Sequence, residues 1–311
     1  MLEALVLDTA ALPVWRGLDG PLWLSVRKLC ELSGTEMIIP ELVVQESVNK
    51  RAENYAQVAT RFVDAFSELE KFFDIDPIYV PDEAEIRETW EAELRETFTV
   101  VPVHGDDAVE ALRREAVRVR PARLGKGGRD SAVWLTVLRL ASTRNDVAFV
   151  SNNILDFGVR KSTELHPDLL SEAHSASGEI HYFTSIHALI DSLASKIDPP
   201  EVSAELLGPV LGYELRQTVL ARAAEDDRYP EISATELISE SLAVSRVNVK
   251  SAYTIAERNL VLIIGQGQLP VGDPGDGHTL DFTFGAWLDF DPADGTIVAG
   301  EVQSLSLADP T

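Results

Sequence analysis

The chain is 311 residues long, 45% hydrophobic, and carries one cysteine and a formal net charge of −24. That length exceeds one compact core and points to two domains. The composition is that of a globular protein, the lone Cys30 excludes an internal disulfide, and no apolar run reaches the roughly 18 residues that a membrane-spanning helix needs.

The opening LEALVLD lacks the charged, apolar, small-residue order of a signal peptide, so the cytoplasm is the expected compartment and no membrane partner is expected. So negative a surface argues against nucleic acid as a general partner. The distribution qualifies this. Residues 1–197 hold 21 Lys and Arg against 32 Asp and Glu, whereas residues 198–311 hold 6 against 19. Between Arg113 and Arg129 stand seven basic residues and one acid, Glu115. Such a run is either a solvated face or an arm for a polyanion, and it leads directly into Asp130.

In chain order, Ala4 to Leu7 is an apolar run that ends in Asp8-Thr9, a strand delivering a carboxylate at its end. Leu22, Val26 and Leu29 have helical spacing, closed by Ser33-Gly34, and Met37 to Ile39 is a second short strand. Pro40-Glu41 open a long helix of roughly 41 to 73, with Glu46 in its early turns. Residues 74–81 read as a connection, 82–97 as a charged helix, 98–103 as a short extended piece and 106–119 as another charged helix. Residues of about 50–125 therefore read as largely helical elaboration between the second and third acid-bearing elements. Val133, Trp134, Val137, Leu138 and Ala141 then mark an amphipathic helix with Asp130 in its first turn. Val147 to Val150 is a strand followed by Ser151, Asn152, Asn153 and Asp156, and Glu179 to Phe183 is a last strand before a closing helix.

Strand and helix alternate, which predicts an α/β fold with a parallel sheet sandwiched by helices over 1–197. Asp198-Pro199-Pro200 is the predicted boundary. Beyond it, a helix of about 201–224 precedes four strand-like stretches: 242–255, 259–264, 279–290 and 296–307. Turn signals lie at 265–278 and 291–295. This reads as a smaller α+β domain, 198–311, with an antiparallel sheet.

Each acid has an ordinary explanation. Asp8 and Asp156 could form turns, Asp130 could cap its helix and Glu46 could be a surface glutamate. Topology raises them together. In a parallel sheet, the strand ends and the starts of the following helices share one rim, where ligands bind. Asp8, Asp130, Asn153 and Asp156 should meet there, with Glu46 pointing in. Carboxylates crowded in a water-poor place repel, a divalent cation relieves that, and oxygen donors favour Mg²⁺ or Mn²⁺. Rival chemistries are poorly supplied. GKGG is followed by Arg129 where a phosphate loop has Ser or Thr. The six histidines (His104, His166, His174, His181, His187, His278) show no HExxH spacing, and there is no GxSxG. His181 and His187, flanking the last strand, read as packing or surface residues. Trp134 and Cys30 read as core.

LVLDTAAL, IPELVVQESVNK, GGRDSAVWLTVL and FVSNNILDF, in that order, resemble the four blocks of PIN-domain nucleases, the group that includes VapC-type toxin ribonucleases. The resemblance covers residues 1 to about 195 and is of the larger bacterial form, with a helical insertion and a C-terminal extension. It implies a metal-dependent endoribonuclease acting on single-stranded RNA. Asp8, Glu46, Asp130 and Asp156 would be the catalytic and metal-holding acids, joined by Asn153 as a metal ligand. Thr9 and Ser151 would orient those ligands from behind. Arg123, Lys126 and Arg129 would hold the phosphate backbone. One or two Mg²⁺ or Mn²⁺ ions are implied, and there is room for an antitoxin or other regulatory protein and for a homodimer. The alternatives are a non-catalytic RNA-binding or regulatory module of the same fold and a structure-specific DNA nuclease.

Overall fold

The computed structural model describes residues 2–308 except 16, 74, 76, 77, 227–241, 256 and 272–278; His278 and most of the second half of the turn expected at 265–278 thus lie outside the described residues. The chain divides into two compact units. One comprises Met1–Leu18 and Cys30–Leu189, the other Asp19–Leu29 and Ile190–Thr311.

The first unit starts with β1 (Ala4–Leu7), four residues of zero exposure. After α1 (Pro21–Ser33), β2 (Glu36–Pro40) and α2 (Glu41–Leu69), the chain forms α3 (Glu83–Thr97), β3 (Thr99–Val101), α4 (Gly105–Val117) and α5 (Gly128–Ala141). Next come β4 (Asp146–Val150), α6 (Pro167–Ala173), β5 (Glu179–Phe183) and α7 (Ile186–Leu193). The five strands form one sheet in the order β3-β2-β1-β4-β5, and every pair is parallel. The chain leaves β1 for β2 on one side and returns to β4 on the other. The C-terminal ends of β1 and β4 therefore sit side by side at the switch point, where open α/β sheets form a crevice.

The apolar runs of β1 and β4 read as continuous because both faces of a parallel strand are covered. Val147 to Val150 of β4 are all fully buried, and on the face of Phe149 the ring meets Phe157 edge-on at 5.0 Å and Trp134 of α5 at 6.0 Å between ring centroids. Trp134 is fully buried and Cys30 is 2% exposed, both core as expected. Solvent-side helix ends follow ordinary capping rules: Asp82 accepts from the Glu85 backbone N–H at 2.9 Å at the start of α3.

The extended piece expected at 98–103 within the largely helical stretch 50–125 is β3, which pairs with β2 and forms one edge of the sheet. What no local pattern shows is the partner of this strand, because its pairing with β2 joins residues some 60 positions apart. The same stretch also supplies α4, whose buried Asp107 takes both guanidinium bonds of Arg139 on α5, at 2.6 and 2.7 Å.

The second unit is an antiparallel sheet in the order β10-β9-β8-β7-β6, formed by β6 (Ser195–Lys196), β7 (Ala243–Ile255), β8 (Arg258–Pro270), β9 (Thr279–Phe290) and β10 (Ile297–Leu307). Between β6 and β7 lies α8 (Ala204–Ala224), which buries Leu207, Leu211, Leu215 and Val219 against Val261, Phe282, Phe284 and Leu288. The 19–29 segment also belongs here. Trp287, 2% exposed, donates its indole N–H to the Leu24 carbonyl at 3.3 Å, and Lys28 pairs with Glu301 at 2.5 Å.

The expected turn at 265–278 begins too early, since β8 runs through Gly265 and Gly267 to Pro270. A Cβ on Gly265 would come within 2.3 Å of the Phe284 ring, and one on Gly267 within 2.5 Å of the Phe282 ring. The glycines are there to admit aromatic rings, not to turn the chain. Among the described residues no helix of either unit is long and apolar enough to cross a membrane.

Candidate metal centre

Asp8 closes β1 at the crevice and is 5% exposed. Its backbone N–H donates to the Val150 carbonyl at 3.0 Å, which ties the two strand ends together. Its carboxylate is held at both oxygens: the Thr9 N–H donates to Oδ1 at 2.8 Å and the Ser151 hydroxyl to Oδ2 at 2.6 Å. Burial raises its pKa, and the nearby Glu46 charge adds to that, against the lowering effect of those hydrogen bonds. Ser151, with no exposure, is fixed in turn by its N–H on the Phe183 carbonyl and by Tyr182, whose hydroxyl donates to the Ser151 carbonyl at 3.1 Å. Burial pushes the Tyr182 phenol up to about 12, so it stays a donor at any ordinary pH.

Glu46 lies in the second turn of α2, flanked by the buried Val43, Val44 and Ser47, and reaches the same place. The Thr9 hydroxyl donates to its Oε2 at 3.3 Å, and the Arg129 guanidinium pairs with its Oε1 at 3.2 Å.

Asp130 is the third residue of α5. It does not cap that helix; the N-cap is Gly127, with φ +106, and the Gly128 N–H is taken by Glu115 at 2.6 Å. Freed from capping, Asp130 turns to the crevice, where the Asn153 side-chain amide donates to it at 3.2 Å and to Asp156 at 3.1 Å. The Asp130 carboxyl is pushed up to about 6 by burial, then by the charges of Asp8, Asp156 and Glu46. Gly127 is needed on two counts. Its φ is one that side chains avoid, and a Cβ there would sit 3.1 Å from the Asp130 Oδ2 and 3.3 Å from the Ala122 backbone.

The sequence-derived acids are therefore brought together: Asp8, Glu46, Asp130 and Asp156 converge, with Thr9, Ser151 and Asn153 among them. Asn153 faces Asp130 and Asp156 with its amide nitrogen, as a donor. An open cleft of about 340 Å³ lies over the group, its walls carrying Glu46, Asp130 and Asp156 together with Lys126 and Arg129.

The basic arm resolves into two sets. Arg113 and Arg114 are tied to Glu110, and Arg114, 8% exposed, also to Glu172 at 3.0 Å. Arg120 donates to the Leu155 and Asp156 carbonyls, both at 3.1 Å, and so fixes the loop that carries Asp156. Arg123 and Lys126 are exposed and form no ion pair among the described residues; Arg129 is exposed and pairs with Glu46.

A second group was not read from the sequence. Asp146, Glu179 and His181 present ligand atoms within 4.8 Å of one another. They sit at the starts of β4 and β5 (His181 two residues in), the opposite edge of the sheet from Asp8. His181 is 3.2 Å from Asp146 and 3.8 Å from Glu179, and its hydrogen bond is the main cause of the lowered Asp146 pKa. Only the register of β4 on β5 brings these residues together, which the sequence alone does not reveal.

Comparison with curated proteins and with solved structures gave no match for the chain. Residues 5–157, which carry all four acids of the crevice, match the family model described as PIN domain; the parallel sheet they help to build is PIN-like, and PIN domains are in general nucleases.

Proposed function

We propose that the first unit is a metal-dependent endoribonuclease that hydrolyses phosphodiester bonds of single-stranded RNA, using Mg²⁺ or Mn²⁺ held by Asp8, Glu46, Asp130 and Asp156. The observation that carries this reading is the convergence of four carboxylates from β1, α2, α5 and the loop after β4, close enough that three of them raise the pKa of the fourth. The donor set fits such an ion: it is all oxygen, half-buried, and short of neutralising charge. A bound ion supplies charge stabilisation at the scissile phosphate and makes water more acidic.

The chain does the rest. Ser151 and Thr9 fix both oxygens of Asp8, so that its remaining lone pairs have a set direction. The Asn153 amide keeps Asp130 and Asp156 within reach of each other, and rotation of that amide would turn its own oxygen inward as a further ligand. Arg129 holds Glu46 until an anionic substrate competes for its guanidinium. Lys126 in the cleft and Arg123 beside it hold the RNA backbone and offset the repulsion from an acidic body. The resemblance of the four blocks to VapC-type toxins favours RNA over DNA.

The test is cleavage of labelled single-stranded RNA, single-stranded DNA and branched DNA with Mn²⁺, Mg²⁺ or EDTA. Cleavage of RNA that needs the metal and is lost in Asp8→Asn and Asp130→Asn supports the reading. Preference for branched DNA, or cleavage unchanged in both variants, refutes it.

A further inference from the structure

The outer half of α2 has no role in the crevice, and among the described residues no packing explains it. Its first half is well supported: Ser47 accepts from the Trp90 indole, Arg51 lies 4.1 Å over the Trp90 ring, and the Tyr55 hydroxyl donates to the Pro81 carbonyl. From Thr60 to Phe73 every residue but Phe66 is exposed, yet this stretch is rich in large apolar side chains. Val58, Phe62, Leu69 and Phe72 are 41%, 40%, 50% and 78% exposed. A helical end of this length is marginal on its own in water, and an apolar stripe of this size usually marks an interface.

The spacing and charges of the stripe select its occupant. Val58, Phe62, Ala65 and Leu69 are spaced four, three and four apart, the seam of a two-helix coil, and Phe72 in the turn beyond the helix end extends the apolar surface. Arg61 and Glu68 each precede a seam residue and flank the same side of it. In an antiparallel pair of two such helices, Phe62 meets Ala65 of the second copy, Leu69 meets its Val58, and Arg61 meets its Glu68, twice by symmetry. A parallel pair would set Arg61 against Phe66 and would place Glu68 opposite a position beyond the helix end, leaving both charges without an opposite. With aromatic side chains offering about 150–250 Å² each, the exposed apolar surface from Val58 to Phe73 is of the order of 600 Å² per copy. Together with the flanking stems, that approaches the roughly 800 Å² per partner of a standard interface.

We propose that residues 56–73, the outer end of α2 and the turn that follows it, are the interface of a homodimer in which the two helix ends pair antiparallel about a two-fold axis. This is independent of the nuclease reading.

The experiment is sedimentation of the full-length chain from about 1 to 100 µM. A species of twice the chain mass is expected, with Phe62→Lys/Leu69→Lys raising its dissociation constant at least tenfold at unchanged circular dichroism. Arg61→Glu should weaken the dimer, and adding Glu68→Arg should restore it to within about threefold of the unmodified chain. Because those two changes are confined to exposed positions, they test the pairing even if the apolar variants misfold. A monomer throughout the range, a dimer indifferent to Arg61→Glu, or a failure of the double exchange to restore it overturns the proposal. So does a monomer that binds a different protein through this stripe.

Discussion

Replacing Asp130 by Asn should stabilise the metal-free protein at neutral pH and not at acid pH. Asn is isosteric and keeps an oxygen for the Asn153 amide, so the substitution removes charge with little change in packing. In the folded chain the Asp130 carboxyl ionises at about 6 instead of 3.8. A folded-state pKa above the unfolded one means that the folded protein holds the proton more tightly. The associated stability is complete below about pH 4 and is lost as pH rises through about 6. Two units correspond to roughly 3 kcal/mol; Asp130 is only half-buried, and solvent screening reduces this to about 1.5 kcal/mol. Urea denaturation in EDTA from pH 4 to pH 8, wild type against Asp130→Asn, isolates the crevice carboxylates, because titrations remote from the crevice cancel in the difference. The variant should gain about 1.5 kcal/mol relative to wild type between pH 4 and pH 7. Excess Mn²⁺ should reverse the order, since an ion that binds only the folded state stabilises the chain that binds it better. A difference independent of pH would mean that neither burial nor the neighbouring carboxylates hold the Asp130 proton as argued.

Three further outcomes are expected. Gly127→Ala should cost about 1–3 kcal/mol in strain and displace Asp130, so cleavage should fall at least tenfold; full activity would show that this turn does not position the acid. Ser151→Ala removes the hydroxyl that donates to Asp8 at 2.6 Å, at a cost of about 1–3 kcal/mol. It should also raise the Asp8 pKa further and move the pH profile of metal binding upward, measured by calorimetry. Neutralising Arg123 and Lys126 together should lower the salt dependence of RNA binding by about 1.4 in log–log slope if each meets one phosphate, whereas an unchanged slope would leave the arm without a substrate role.

Much of the site was legible because it lies at strand ends. β1 and β4 are short runs of buried apolar residues, and the polar residues just after them, Asp8 and Ser151 to Asp156, had to share a rim once the sheet was parallel. What the sequence hid was hidden for definite reasons. β3 read as an extended piece, but its place beside β2 at the edge of the sheet rests on a long-range pairing. Gly265 and Gly267 resemble turn signals until the Phe284 and Phe282 rings are seen above them. The seven-fold basic arm looked uniform, but Arg113, Arg114 and Arg120 are spent on Glu110, Glu172 and backbone carbonyls. Segment 19–29 joins the C-terminal unit through contacts such as Leu24 to Trp287, 263 positions apart, beyond the reach of any local pattern. Asn153 was expected to hold the metal or to orient its ligands; what could not be read was that its nitrogen bridges two acids.

The central claim is that a divalent ion is held by the carboxylates at the C-terminal ends of β1 and β4, and it is tested most directly by titrating the full-length chain with Mn²⁺ under electron paramagnetic resonance. Asp130→Asn and Asp8→Asn should weaken binding at least tenfold, while Asp146→Asn, at the opposite edge of the sheet, should leave it unchanged. Tight binding that survives in the first two variants and disappears in the third would place the metal at the other edge and contradict the account.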